Sequence, residues 1–250
     1  MNSNSNTVVN KRSFTLAALI LSAGLIIMSI IVATTWRYVS RSNVTVTVTG
    51  SASKDIKSDY AIWRGSISNE SSSLQEAYAK LKTSNDKVKS YLVSKGFPED
   101  KISVSAINIT TLYINNNEGY ATNDVSGYRL SQDFTVESNE VDKIDKLSRE
   151  ATELINEGIE INSPTPEFLY TKIGDLKIQM IGLAAQDAKQ RAEQIAQSTD
   201  NSIGEVRSSK MGVIQINSKN STEISDYGIN NTSSIDKTIT VVVNMSFSIK

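Results

Sequence analysis

The sequence predicts an α+β domain preceded by one membrane-spanning helix. Three observations carry that reading. Residues 14–35 form an apolar run without a charge. Three later stretches repeat apolar residues at helical spacing, and several others alternate with the period of two that marks half-buried strands.

The most regular helical pattern lies over residues 174–197. Leu176, Met180, Ala184, Ala188, Ala192 and Ala196 recur every four residues on one side. Asp187 and Arg191, then Lys189 and Glu193, stand at i,i+4 and can pair weakly. A line of methyl groups lets a helix axis come close to the sheet beneath it, so the stripe reads as packing.

Composition removes many chemistries. The 250-residue chain has no cysteine and no histidine. Disulfides, thiolate nucleophiles, Cys/His zinc sites and imidazole-based triads are therefore excluded. A carboxylate-only metal site stays possible, although the sequence has no loop of the Asp-x-Asp-x-Asp-Gly kind. No cofactor is expected. Residues 1–43 carry Lys11, Arg12, Arg37 and Arg41 and no acid, which leaves the remainder with 22 bases against 27 acids. No cluster of bases with aromatics marks a nucleic-acid face.

Lys11-Arg12 precede the apolar run, and Trp36-Arg37-Tyr38 close it. About 22 residues at ~1.5 Å each reach ~33 Å, enough for a bilayer core. A cleaved signal has a shorter apolar region and a small-x-small site, which Val32-Ala33-Thr34 imitates poorly. Residues 14–36 are therefore read as a signal anchor between a short cytoplasmic N-terminus, 1–13, and a linker, 37–43. The expected location is a single-pass inner (cell) membrane protein with residues 44–250 outside the cytoplasm. Gly24 stands without a GxxxG partner, so dimerisation within the membrane is unsupported.

Residues 44–49 alternate Val and Thr as a strand, which Gly50-Ser51 is expected to end. A second strand covers 61–68. Ser73-Leu-Gln-Glu76 matches a capping box for a helix over 73–95. Gly96 supplies the left-handed cap, and Pro98 blocks continuation. Ile102, Val104 and Ala106 begin another strand, with a change of phase to Ile107 and Ile109 that suggests a bulge. Residues 115–124 read as a polar loop and 128–137 as a strand. Asn139 is the expected cap of a helix over 140–157, closed by Gly158. Residues 159–162 form a short strand before Pro164. The order strand–helix–Gly–strand thus occurs twice, a weak internal repeat. Further strands are expected around Val206, over 211–216 and over 235–249.

These pieces, in this order, resemble the SIMPL-domain family, which includes the periplasmic immunogenic protein and the YggE-like envelope proteins. The carriers are Val46-Thr-Val-Thr-Gly50, Asp59-Tyr-Ala61, Leu92-Val-Ser-Lys-Gly96-Phe-Pro-Glu-Asp-Lys-Ile102 and Gly127-Tyr128. Ala184-Ala-Gln-Asp187-Ala188-Lys-Gln-Arg191-Ala192 and Gly204-Glu-Val206 follow. The tail, with Met211-Gly-Val-Ile-Gln-Ile216 and residues 225–234, looks like a membrane-anchored subgroup. A glycine pair of the family is Gly50-Ser51 here, and its Leu-Gly step is Ile203-Gly204. The resemblance implies a fold of packed βαβ units and, in some relatives, large ring-like or channel-like oligomers. It supplies no catalytic residues.

Ser51-Ala-Ser-Lys54, Ser84-Asn-Asp-Lys87 and Ser234-Ile-Asp-Lys237 match the Ser-x-x-Lys pattern of serine–lysine hydrolases. A chain rich in serine and lysine yields such matches by chance, and no companion motif accompanies them. The loop 217–234 is long for a connection between strands. Asp226, Tyr227, Gly228 and Asn230 at its centre are the candidate contact residues. Gly96, Gly158, Ala184, Ala188 and Ala192 are the structural ones. The function expected is that of a non-catalytic, anchored envelope protein that forms homo-oligomers. An anchored sensor domain, whose small-molecule ligand the sequence does not name, is the alternative, and a serine–lysine hydrolase is a distant third.

Overall fold

A computed structural model describes residues 11–42 and 44–250. Most of the expected cytoplasmic segment, and Asn43 at the end of the expected linker, lie outside the described residues. In chain order the elements are α1 (Lys11–Ser42), β1 (Thr45–Lys57), β2 (Tyr60–Ser71), α2 (Leu74–Ser94), β3 (Ile102–Val104), β4 (Asn108–Asn115) and β5 (Ala121–Ser138). They continue with α3 (Val141–Glu150), β6 (Glu160–Asn162), β7 (Glu167–Leu169), α4 (Ile173–Gln197), β8 (Ile203–Met211), β9 (Gln215–Ser218), β10 (Ile229–Asn230) and β11 (Asp236–Ile249). The architecture is mixed α+β. Contacts divide the chain into two compact units, whose boundaries fall inside β1, α4 and β11 and between β8 and β9.

The unit of Ala52–Met180 and Val213–Val241 holds a six-stranded sheet ordered β3-β5-β2-β6, with β4 also on β5 and β7 also on β2. Every pairing in that sheet is antiparallel. Because β5 lies between β2 and β3, those two run parallel and α2 joins them. By the same reasoning α3 joins β5 to β6 across β2. Two interlocked split βαβ units result, the β-α-β-β-α-β topology of ferredoxin-like folds. The strand–helix–Gly–strand repeat is this pair. α2 buries Ala77, Leu81, Val88 and Leu92, and α3 buries Val141, Ile144 and Leu147, in one core with Trp63, Ile67, Leu130 and Phe134.

Gly96 has φ +86° and Gly158 +79°, each just past a helix end. Several local readings change. The capping box does not close, since the Ser73 hydroxyl turns to Gln75 and Glu76 pairs with Lys80 at 2.9 Å. Asn139 is not the cap of α3. Glu140 holds that position, and its N–H donates to the Ser138 hydroxyl at 3.0 Å. The expected helix over 140–157 is α-helical only to Glu150 and then tightens to a 3-10 form over Ala151–Glu157. The phase change near Ala106 is a break between β3 and β4, where Gln132 donates to the Ser105 carbonyl. The polar loop shrinks to a turn between β4 and β5, in which the Asn116 side-chain oxygen accepts the N–H groups of Glu118 and Tyr120.

The unit of Met1–Ser51, Ile181–Gly212 and Val242–Lys250 contains α1, the start of β1, most of α4, β8 and the end of β11. β11 pairs with β8 antiparallel and also neighbours β1. The Thr47 hydroxyl donates to Ser246 at 3.1 Å, and Thr49 donates to Asn244 at 2.7 Å. Partners advancing along β1 retreat along β11, so these strands are antiparallel too. Val48, Ala188, Ala192 and Phe247 form the small core of this unit. Gly50 does not end the strand. β1 runs on to Lys57, and the glycine serves close packing with α4.

α1 includes a stretch, Phe14–Arg37, with mean hydropathy 2.7, long and apolar enough to cross a membrane. It continues as helix to Ser42, so the segment read as a linker, 37–43, is helical wherever it is described.

Candidate functional site

The loop 217–234 is far from structureless. Two amide side chains on β9 hold its backbone. Gln215 Nε2 donates to the Ser225 carbonyl and Asn217 Nδ2 to the Glu223 carbonyl, both at 2.6 Å. Gly228, at φ +83°, donates its N–H to the Ser225 carbonyl. β10 then pairs parallel with β9, Ile229 against Gln215 and Asn230 against Ile216. The Asn231 N–H donates to the Ile216 carbonyl at 2.8 Å, and Thr232 accepts from the Phe168 N–H at 2.7 Å.

This clamped loop presents two large apolar side chains to solvent. Ile224 is 81% exposed and Tyr227 98% exposed. Asp226 and Asn230 are exposed beside them, whereas Gly228 is half-buried. A β-carbon on Gly228 would come within 2.9 Å of the Ile214 carbonyl oxygen, so the turn must keep a glycine there. Ordered backbone under exposed apolar tips is what a contact surface requires, because little ordering entropy remains to be lost on docking.

A separate concavity of about 760 Å³ is lined by Tyr60, Phe97, Lys101, Glu137, Glu140 and Lys143, among others. The 217–234 loop contributes nothing to its wall. Its polar groups are largely committed to one another. The Tyr60 hydroxyl donates to Glu137 at 2.6 Å, which pushes the phenol above its ordinary range. Lys143 donates to the Gly96 carbonyl at 2.9 Å and pairs with Glu140 at 3.0 Å.

The three Ser-x-x-Lys lysines point elsewhere. Lys54 donates to Gln179, Lys87 to the Glu157 carbonyl, and Lys237 to the Phe168 carbonyl. Lys237 is itself a finding. It is 2% exposed, and burial pulls its ammonium below the ordinary lysine range. In the sequence it falls in phase with Ile235, Ile239 and Val241, so the alternation itself puts this lysine on the apolar face of the strand.

The SIMPL family model, described as a protein of unknown function (DUF541), matches residues 46–247. The chain belongs to the SIMPL family. The match opens inside β1 and closes inside β11, so it includes the clamped loop, the alanine stripe and the six-stranded sheet, and leaves α1 outside. No curated protein matches the chain. The description of SIMPL states no activity, and the chain brings neither histidine nor cysteine to one.

Proposed function

We propose that this SIMPL chain is a non-catalytic, membrane-anchored envelope protein that assembles with further copies of itself. In this reading residues 14–36 cross the inner (cell) membrane with the N-terminus in the cytoplasm and the SIMPL domain outside, as in a membrane-anchored subgroup. The observation that carries it is the loop. Its backbone is fixed by Gln215, Asn217 and β10, yet Ile224 and Tyr227 are largely exposed to solvent within one chain. An anchor that confines copies to one plane raises their effective concentration and favours contacts too weak to form in dilute solution.

The absence of cysteine makes the test clean. Full-length chain carrying Tyr227→Cys is oxidised in native membranes. A disulfide-linked homodimer is expected, and Ile224→Ala in the same chain should reduce it. Monomer alone at Tyr227→Cys would remove the loop from the assembly. Ser3→Cys and Asp226→Cys variants, treated with an impermeant maleimide on intact cells, test topology, with labelling expected only at 226.

A further inference from the structure

The six-stranded sheet ends in an edge that none of the described residues pairs with. Among the described residues, the only ladder partner of β4 is β5. Natural edges are made unattractive by shortness or by charge. β3, β6 and β7 have three residues each and β10 has two, while β8 carries Glu205, Arg207 and Lys210. β1 carries Lys54, Asp55 and Lys57. β4 has eight residues, Asn108-Ile-Thr-Thr-Leu-Tyr-Ile-Asn115, and no charge.

Its side chains are equally uncovered. Ile109, Tyr113 and Ile114 are each about half exposed, as is Val125 on the facing strand. β2 pairs with β5 only from Tyr128 onward, so the far half of the β4–β5 hairpin stands as a two-stranded ribbon. Such a ribbon is marginal in water without a third strand or a packed face.

We propose that β4 pairs with β4 of a second copy, antiparallel about a two-fold axis at Thr111, joining two six-stranded sheets edge to edge. The sequence of the strand favours this occupant. A two-fold pair sets each strand against its own copy, so a net charge on the strand would repel itself, and β4 carries no charge. With Thr111 opposite Thr111, Ile109 faces Tyr113 twice on one side of the sheet, and aromatic–β-branched pairs are favourable cross-strand neighbours. Thr110 then faces Leu112, and Asn108 faces Ile114. The proposal deepens the self-assembly reading, and it rests on the membrane anchor only for the concentration of copies. Its surface is distinct from the 217–234 loop.

The test uses full-length chain in native membranes with single cysteines and a mild oxidant. Thr111→Cys should give a disulfide-linked homodimer in high yield. Ile109→Cys and Tyr113→Cys co-expressed should link to each other several-fold more than Ile109→Cys links to itself. Adding Thr111→Lys to that pair sets two ammonium groups face to face and should abolish the link, while protease resistance shows that the fold persists. A Thr111→Cys chain that stays monomeric overturns the proposal, and so does a link that survives Thr111→Lys. Slow amide exchange over 108–115 without a Thr111→Cys dimer overturns it as well, since another molecule would then cover the edge. If Tyr227→Cys links and Thr111→Cys does not, the loop reading stands alone. The converse result leaves the β4 edge as the contact.

Discussion

Gly50 in β1 lies against the backbone of Ala188 in α4. A β-carbon built on Gly50 would stand 2.3 Å from the Ala188 nitrogen, 2.6 Å from its methyl and 2.2 Å from the Ala184 carbonyl oxygen. No rotamer relieves contacts with backbone, so Gly50→Ala must push strand and helix apart. A loss of about 1–3 kcal/mol is expected, as for other overpacked sites. Gly182, on the same helix, has no atom within 4 Å of its would-be β-carbon. Gly182→Ala should stabilise by about 0.5–1 kcal/mol through helix propensity. Urea melts of the two variants should move in opposite directions.

Asp187 ties the same helix to the next residue of β1. Its carboxylate accepts the Ser51 N–H at 2.8 Å and pairs with Arg191 at 2.8 Å. The Ser51 hydrogen bond, then the Arg191 partner, hold its pKa below the usual 3.8. A depressed carboxylate stabilises the fold above its ordinary pKa and loses that contribution as pH falls through the lowered value. Asp187→Asn should therefore melt below the parent at pH 7. The gap should close below about pH 3.8, which thermal melts across pH would show.

Lys237 has the opposite consequence. Its depressed pKa means that the folded chain disfavours the ammonium, a penalty fully present at neutral pH. The penalty fades as pH rises toward the ordinary value of 10.5. Lys237→Met keeps the packed stem and gives up one hydrogen bond to the Phe168 carbonyl. The variant's Tm relative to parent should be highest near pH 7 and fall steadily to pH 10. A difference that does not change with pH would show that the folded lysine keeps its ammonium with an undepressed pKa.

Trp63 is fully buried, and its indole N–H donates to the Ser163 hydroxyl at 3.0 Å. That hydroxyl donates onward to the Ser148 carbonyl at 2.6 Å. Ser163→Ala leaves the indole without its acceptor and should cost about 1–3 kcal/mol. Ser163→Thr, which retains a hydroxyl, should recover part of that loss in the same urea titration.

A chain ended at Gly204 would lack nearly all of β8 and the whole of β9, β10 and β11, and with β11 the neighbour of β1. Each lost pairing exposes backbone groups and a half-apolar face. An insoluble product is expected on expression. A soluble fragment with a cooperative melt would contradict the pairing scheme.

Much of this architecture is written in local periodicity. The four-residue spacing of Leu176, Met180, Ala184, Ala188, Ala192 and Ala196 determined which side of α4 is buried, and all six are. Alternation determined β2 and β11, and glycines after Lys95 and Glu157 determined where two helical segments stop. These signals survive folding because a side chain's direction follows from the backbone period alone. Capping was less legible. Ser73 and Asn139 have the right chemistry, but the Ser73 hydroxyl turns to Gln75, Glu76 pairs with Lys80, and Glu140 takes the cap position of α3.

Tertiary structure decided what depends on neighbours distant in sequence. Gly50 beside Ser51 reads as a turn, and it is an extended residue whose missing side chain makes room for a helix far along the chain. Lys237 sits in phase with Ile235 and Ile239 on the apolar face of its strand, and only tertiary structure brings the Phe168 carbonyl that receives its buried amine. The loop of Tyr227 was visible as a long polar segment, while its clamping by Gln215 and Asn217 was not. The bare edge of β4 was hidden for the same reason. A strand's sequence states which of its faces is apolar, and strand order, set by long-range pairing, decides which backbone edge is left open.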